Sequence, residues 1–232
     1  MRLYFHYCQF GFSNCYVVGT ELPEEEDGET RHDGPLKKIS LRKATPREAS
    51  LREAIIVDPG NMDETILTLI ERNNYTLRGV LVTHDHLSHV RGLRTLKRIY
   101  DADIYAVNHM ILDQRTTRVK DGDTLHIGPF VVEVISVPGH SSDSAVFKIG
   151  YWLFTGDALS AGLLGSTASS YGAEVQMTAL RSKILSLPGN YAILPGHGPP
   201  SSLEAERRFN VGIQFYEQSK NKRQPFTMEI WE

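Results

Sequence analysis

The sequence has little or nothing of four features, each of which would indicate a class of protein. It has two cysteines, Cys8 and Cys15, too few for a disulfide scaffold, so we expect reduced thiols that pack in the interior. No apolar run approaches the roughly 20 residues that span a bilayer, so we expect no membrane partner. With 25 basic and 28 acidic side chains, the net charge of −3 gives no sign of a nucleic-acid partner. The first residues lack the cationic and apolar segments of a secretory signal, which predicts a cytoplasmic protein.

The 232 residues instead show an alternation of strand and helix patterns. Short runs rich in aromatic and β-branched residues predict strands, and apolar residues three or four positions apart predict helices. Their order predicts a mixed α/β protein with two sheets and outer helices. We expect one domain over residues 1–217, with a polar insertion at about residues 22–54 and a C-terminal tail at 218–232. The pattern at residues 203–218 predicts a single last helix.

Histidines follow the ends of several predicted strands. The segment VLVTHDHLSH contains His84, His86 and His89, VISVPGH ends at His140, AILPGHG contains His197, and WLFTGD ends at Asp157. Imidazole and carboxylate groups are ligands of zinc, iron and manganese. A single histidine after a strand is more often an ordinary polar residue. Five histidines and an aspartate, all at strand ends, predict a metal site, whereas His126 and the remaining histidines lack this setting.

The motifs THDHLSH, PGHSSDS, TGD and PGHG, in this order, resemble those of the metallo-β-lactamase superfamily. The resemblance covers about residues 1–210 apart from the insertion. It implies a four-layer αβ/βα sandwich with metal ions at one edge of the two sheets. It also implies the ligands: His84, His86 and His140 for a first ion, His89 and His197 for a second ion, and Asp157 as the bridge. It further implies that Asp58, in VDPG, supports the ligands without binding an ion.

Within the superfamily the sequence is most similar to the glyoxalase II-like branch. GDALSAGLLGST resembles the stretch after the bridging aspartate of that branch, and PGHGPPSSLEAERRFN, with Glu206 and Asn210, resembles its closing stretch. Two positions differ: Ser166 stands where an arginine is common, and Val211 stands where a proline usually follows. The substrate contacts of the branch therefore do not transfer to this chain.

Ser88 occupies the aspartate position of the superfamily pattern H-x-H-x-D-H, and that aspartate normally binds the second ion. A serine hydroxyl is neutral and is a poor zinc ligand. The resemblance therefore implies a complete first site and a second site that lacks one negative charge, so one or two bound ions both stay open. Ser88 is also a good N-cap for a helix that starts near His89, and both interpretations can hold.

The resemblance implies a metal-dependent hydrolase in which a metal-activated water, held by Asp157 as the catalytic residue, attacks a small ester-type substrate. A thioester or a lactone is favoured, and a phosphodiester also fits. Zinc is the expected cofactor, with iron or manganese as alternatives. A second hypothesis is an iron oxidoreductase that resembles persulfide dioxygenases and uses His84, His140 and Asp157. A third is a binding module without activity. We expect a small-molecule substrate, and the oligomeric state stays open.

Overall fold

Two six-stranded sheets form the centre of the computed structural model, which describes residues 1–21 and 52–221. The first sheet contains, in spatial order, β1 (Arg2–Cys8), β2 (Ser13–Gly19), β3 (Arg52–Val57), β4 (Tyr75–Leu81), β5 (Asp103–Ala106) and β8 (Thr117–Arg118). The second contains β16 (Ser201–Ser202), β15 (Ala192–Pro195), β12 (Trp152–Gly156), β11 (Ala145–Ile149), β10 (Phe130–Ser136) and β9 (Thr124–Ile127). Two short ribbons pair β6 (Met110–Ile111) with β7 (Gln114–Arg115), and β13 (Leu159–Ser160) with β14 (Leu163–Leu164).

The helices lie on the outer faces of the two sheets. On the first sheet they are α1 (Glu64–Arg72), α2 (Leu87–Val90) and α3 (Leu93–Ile99). The second sheet carries α4 (Ser170–Ala179), continued by a π-helical turn (Leu180–Ile184), and α5 (Leu203–Phe209). The last helix, α6 (Val211–Asn221), contacts β14.

Three apolar clusters separate the four layers. In β2, Cys15 and Val17 face the cluster under α1 and α3, while Tyr16 and Val18 face the second sheet. This alternation follows from the two-residue period of a strand that is buried on both faces. The third cluster joins the second sheet to its own helices, for example through Leu153 of β12. The four-layer αβ/βα sandwich expected from the resemblance is therefore confirmed.

Strand direction determines where polar loops gather. In the first sheet β3, β4, β5 and β8 run parallel, and in the second sheet β12 and β15 run parallel. Ligands of open α/β sheets bind outside the carboxyl ends of such strands. Asp58 follows β3, His84 follows β4, Asp157 follows β12 and His197 follows β15. The fold thus brings these loops to one edge.

Some predicted boundaries need correction. Most of the insertion predicted at residues 22–54 lies outside the described residues, but Arg52–Ala54 belong to β3, where buried Ala54 pairs with Gly19 and Leu77. The single helix predicted at residues 203–218 is two helices. Asn210 separates them, because its backbone is extended and its side-chain oxygen accepts the amide hydrogen of Ile213.

The chain termini and the cysteines complete the description. Since α6 continues to Asn221, the tail predicted from residue 218 begins later, and residues 222–232 lie outside the described part. Cys8 and Cys15 are unbridged and fully buried, as packing residues are. None of the described helices has the length and apolar character needed to cross a bilayer.

Candidate metal centre

Four side chains converge on a first group at the edge of the sheets. His84 Nε2 lies 2.9 Å from His86 Nδ1, and His140 Nε2 lies 3.1 Å from the same His86 atom. Asp157 Oδ2 is 3.7 Å from His84 Nε2 and 3.6 Å from His140 Nε2. Three imidazole nitrogens and one carboxylate oxygen therefore face one point.

The spacing of these atoms fits a metal ion. Nitrogen ligands about 2.0–2.1 Å from a tetrahedral zinc lie about 3.3 Å from one another. The four distances of the first group, from 2.9 to 3.7 Å, bracket this value. Three neutral imidazoles and one carboxylate are also a donor set that zinc, iron and manganese accept. The residues present therefore form a cluster that is capable of binding a metal ion.

A second group shares Asp157 with the first. His197 Nδ1 lies 2.8 Å from Asp157 Oδ1, and His89 Nε2 lies 3.4 Å from Asp157 Oδ2. His89 Nε2 is buried and has no hydrogen-bond partner among the described residues, as is typical of an atom that faces a ligand. The structure thus brings together all six side chains expected as ligands, in two groups joined by Asp157.

Asp58 orients one histidine ring in each group: His84 through Thr83, and His89 directly. This buried carboxylate accepts hydrogen bonds from the amide and hydroxyl of Thr83, at 2.8 and 2.7 Å, and from His89 Nδ1 at 3.1 Å. Since the Thr83 hydroxyl donates to Asp58, it accepts from His84 Nδ1 at 3.1 Å. Both rings therefore keep their hydrogen on Nδ1 and offer Nε2 as the ligand atom. The φ of Asp58 is +51°, a left-handed conformation that is rare outside glycine and typical of functional sites.

Backbone carbonyls fix two further rings. His140 Nδ1 donates to the carbonyl of Ser166 at 2.7 Å, which leaves Nε2 as the ligand atom. His197 Nε2 donates to the carbonyl of Gly11 at 3.2 Å, which leaves Nδ1 facing Asp157. Sequence reasoning did not identify Thr83, Gly11 or the Ser166 carbonyl. Thr83 precedes His84 in the motif and gave a weak signal, whereas a carbonyl contact has no side-chain signature.

The electrostatics of the two groups differ. Burial, aided by nearby His89, lowers the pKa of His84 to about 3, and burial together with His140 lowers the pKa of His86. Burial also opposes the charge on His89, but the carboxylates of Asp58 and Asp157 raise its pKa to about 10. The hydrogen bond to Asp157 raises the pKa of His197. Burial therefore favours the neutral form of His84 and His86, whereas the carboxylates favour the protonated form of His89 and His197.

Asp157 is a permanent anion between the two groups. Burial would raise its pKa, but the contacts with His197 and His89 hold that pKa well below its ordinary value. Close approach to the second group requires glycine at position 196. A Cβ on Gly196 would lie 2.4 Å from His89 Cε1 and 2.5 Å from Asp157 Oδ1.

Ser88 has no side-chain contact with the ligand atoms among the described residues. Its carbonyl accepts a hydrogen bond of 2.5 Å from the hydroxyl of Ser13, and its Cβ lies beside Gly11 at the tip of the β1–β2 hairpin. The prediction that Ser88 caps a helix is wrong. Helix α2 begins at Leu87, and His86, whose backbone is extended, occupies the cap position.

Comparison with known proteins agrees with this geometry. The sequence pattern of the metallo-beta-lactamase superfamily matches residues 52–197. The chain belongs to this superfamily. Hydroxyacylglutathione hydrolase GloC of Haemophilus influenzae is 28% identical over 186 residues, which cover 68% of this chain and 86% of GloC. The resemblance to the superfamily and to its glyoxalase II-like branch is confirmed.

Two other proteins are similar over most of their length. The probable polyketide biosynthesis zinc-dependent hydrolase BaeB of Bacillus velezensis is 27% identical over 179 residues, which cover 72% of this chain and 79% of BaeB. The crystal structure of ETHE1 from Myxococcus xanthus has a TM-score of 0.69 at 24% identity. The match covers 97% of this chain and 93% of the ETHE1 chain. At this identity the structural likeness shows the shared fold.

Proposed function

We propose that this chain is a metal-dependent hydrolase of a small ester-type substrate, with a thioester or lactone favoured over a phosphodiester. The observation that carries the proposal is the convergence of His84 Nε2, His86 Nδ1, His140 Nε2 and Asp157 Oδ2 on one point. The names of the relatives support it, since GloC and BaeB are both described as hydrolases. We expect zinc as the ion, because BaeB is described as zinc-dependent and the donor set suits zinc.

A divalent ion in such a cluster lowers the pKa of water to near 7 and polarises a carbonyl oxygen. The chain contributes the arrangement around that chemistry. The Asp58–Thr83 pair and the Ser166 carbonyl keep the rings of His84 and His140 oriented toward one point. Asp157, whose pKa is held low, stays an acceptor and orients a water molecule by taking one of its hydrogen bonds.

The rim of the centre favours an apolar acyl group. Phe10 and Phe12 flank Gly11, whose carbonyl contacts His197, and Leu87 follows His86 directly. All three apolar side chains are about two-thirds exposed, at 60, 67 and 62%. Ser166 contributes a backbone carbonyl to His140 at the position where the glyoxalase II-like branch commonly has a cationic arginine. Arg91 lies 5.2 Å over the ring of Phe10, so the support for a thioester or lactone over an anionic phosphodiester comes from the exposed apolar side chains and from the serine at position 166.

The proposal is tested by a panel of one thioester, one lactone and one phosphodiester. We expect turnover of the thioester or the lactone, loss of turnover after chelation, and recovery when zinc or manganese is added back. His86→Ala should abolish turnover because it removes a ligand of the first group. His126→Ala is the matched control, because His126 is an exposed strand residue outside the cluster and its loss should leave turnover unchanged.

Other results would replace the proposal. Iron in the purified protein, with oxygen consumption on a persulfide, would favour the oxidoreductase that uses His84, His140 and Asp157. No metal-dependent turnover of any substrate class, with His86→Ala altering only stability, would favour a binding module instead.

A further inference from the structure

The first donor group is complete without any contribution from residue 88. His84, His86, His140 and Asp157 supply four donor atoms, and zinc can take a fifth ligand, such as water, beside them. One of the four donors carries a negative charge, and the ring orientations of His84 and His140 are fixed by hydrogen bonds. An ion bound there needs no further protein ligand.

The second group offers fewer donors. It contains His89, His197 and the shared Asp157, and the charge of Asp157 is already used by the first group. Two other carboxylates near the ligands are hydrogen-bonded to other partners. Asp58 accepts three hydrogen bonds from Thr83 and His89, and Asp143 accepts from the amide of Asp85 and from Asn108. Among residues 1–21 and 52–221, no further acidic side chain joins the second group.

Position 88 lies beside this second group. A Cβ built on Gly11 would be 3.0 Å from the Cβ of Ser88, and the carbonyl of Gly11 is 3.2 Å from His197 Nε2. Gly11 therefore lies next to residue 88 and also contacts His197, a donor of the second group. Residue 11 is glycine, with φ +92°, and a Cβ there would crowd the Cβ and Cα of Ser88 at 3.0 and 3.1 Å, so the two residues pack closely.

We propose that the chain holds one metal ion tightly, on His84, His86, His140 and Asp157, that His89, Asp157 and His197 form an exchangeable second site, and that Ser88 causes the difference. The inference rests on the proposed metal-dependent function and adds to it the number of ions that stay bound. A neutral hydroxyl at position 88 leaves the second site without the anion that would hold a divalent cation. An acid at this position would supply that anion beside His197.

The experiment counts retained ions. The protein is loaded with zinc, dialysed against metal-free buffer and analysed for zinc per folded chain by mass spectrometry. We expect one ion per chain in the natural protein and two in Ser88→Asp. Ser88→Asn is the matched control, since it has the shape of aspartate without the charge, and it should retain one ion.

A second variant keeps the test decisive if Ser88→Asp does not fold. His197→Ala should still retain one ion per chain, because the tight site does not use His197. Two retained ions in the natural protein, a folded Ser88→Asp that retains one, or loss of the retained ion in His197→Ala would each overturn the inference. Two retained ions with metal-dependent turnover would overturn it and leave the proposed function standing. No retained ion and no turnover would overturn both.

Discussion

The two donor groups of the centre share Asp157, yet they are built differently. The first group contains three histidines, and burial together with neighbouring imidazoles lowers the pKa of His84 and His86. The second contains two histidines, and the carboxylates beside them raise the pKa of both. One missing acid, at Ser88, explains why the second group is short of a ligand. The comparison teaches that one position can weaken one of two donor groups while every histidine remains in place.

The support of the two groups differs as well. In the first group the hydrogen on Nδ1 of His84 is accepted by a side chain, and that of His140 by the backbone carbonyl of Ser166. In the second group His89 depends on Asp58, and His197 depends on the hairpin carbonyl of Gly11. Asp58 therefore links the two groups as Asp157 does, but through the Nδ1 atoms of the rings: it accepts directly from His89, and through the Thr83 hydroxyl it is linked to His84.

The largest expected effect comes from Asp157, the residue common to both groups. Asp157→Asn should lower turnover by about a thousandfold or more, because metal ions and charged ligands each contribute several kcal/mol to catalysis. Retained zinc should fall below one ion per chain. Asp143→Asn is the matched control, since Asp143 is a buried acid outside both groups. Equal zinc content and turnover in Asp157→Asn and the natural protein would refute the bridging position.

A smaller effect is the pH dependence of zinc affinity, which should differ between the two groups. The raised pKa values of His89, at about 10, and of His197 mean that a metal ion must displace a proton there at neutral pH. Below those pKa values the affinity should fall about tenfold per pH unit for each displaced proton. The lowered pKa values of His84, at about 3, and of His86 leave no proton to displace on these two rings, so the affinity of the first site should change less than that of the second between pH 8 and 6. Zinc titrations at both pH values check this, and equal slopes for the two sites would rule it out.

The smallest effect concerns the residues that orient the rings. Asp58→Asn should weaken zinc binding at both sites by about 10- to 100-fold, because the one acceptor oxygen of an amide cannot serve both the Thr83 amide, bound to Oδ1, and the donors bound to Oδ2. Thr83→Val keeps the branched shape but removes the acceptor of His84 Nδ1 and one donor to Asp58. The Thr83 amide and His89 still donate to Asp58, so the first site should weaken more than the second. Zinc dissociation constants of both variants provide the measurement. A larger loss at the second site in Thr83→Val would contradict the assignment of the hydrogen bonds.

The sequence predicted the layers, and it predicted side chains that the fold brings together at the sheet edge, for a physical reason. Buried strands produce apolar runs, and a ligand that follows such a run has to emerge at a sheet edge, so His84, Asp157 and His197 could be placed by position alone. The absence of an acid at position 88 was equally visible, since it is a property of the residue itself.

The contacts that depend on tertiary structure could not be predicted from the sequence. The carbonyls of Gly11 and Ser166 orient histidines 186 and 26 residues away in the chain, and any residue type has a carbonyl. Asn210 interrupts a pattern with helical periodicity because its side chain is hydrogen-bonded to buried Glu206 and to the carbonyl of Leu163, partners that only folding brings near. The predicted helix cap was Ser88 and the observed cap is His86. Ser88 instead packs against Gly11 and accepts a hydrogen bond from Ser13, contacts that the sequence does not show.

The inequality of the two donor groups is tested most directly by a competition titration of chelator-treated protein with zinc against a chromophoric chelator. We expect two binding steps whose dissociation constants differ by about 100-fold or more, which corresponds to about 2.7 kcal/mol or more. The tighter step should be absent in His86→Ala and present in His197→Ala. A single step that takes up two ions with equal affinity, or a tight step that disappears in His197→Ala, would contradict it.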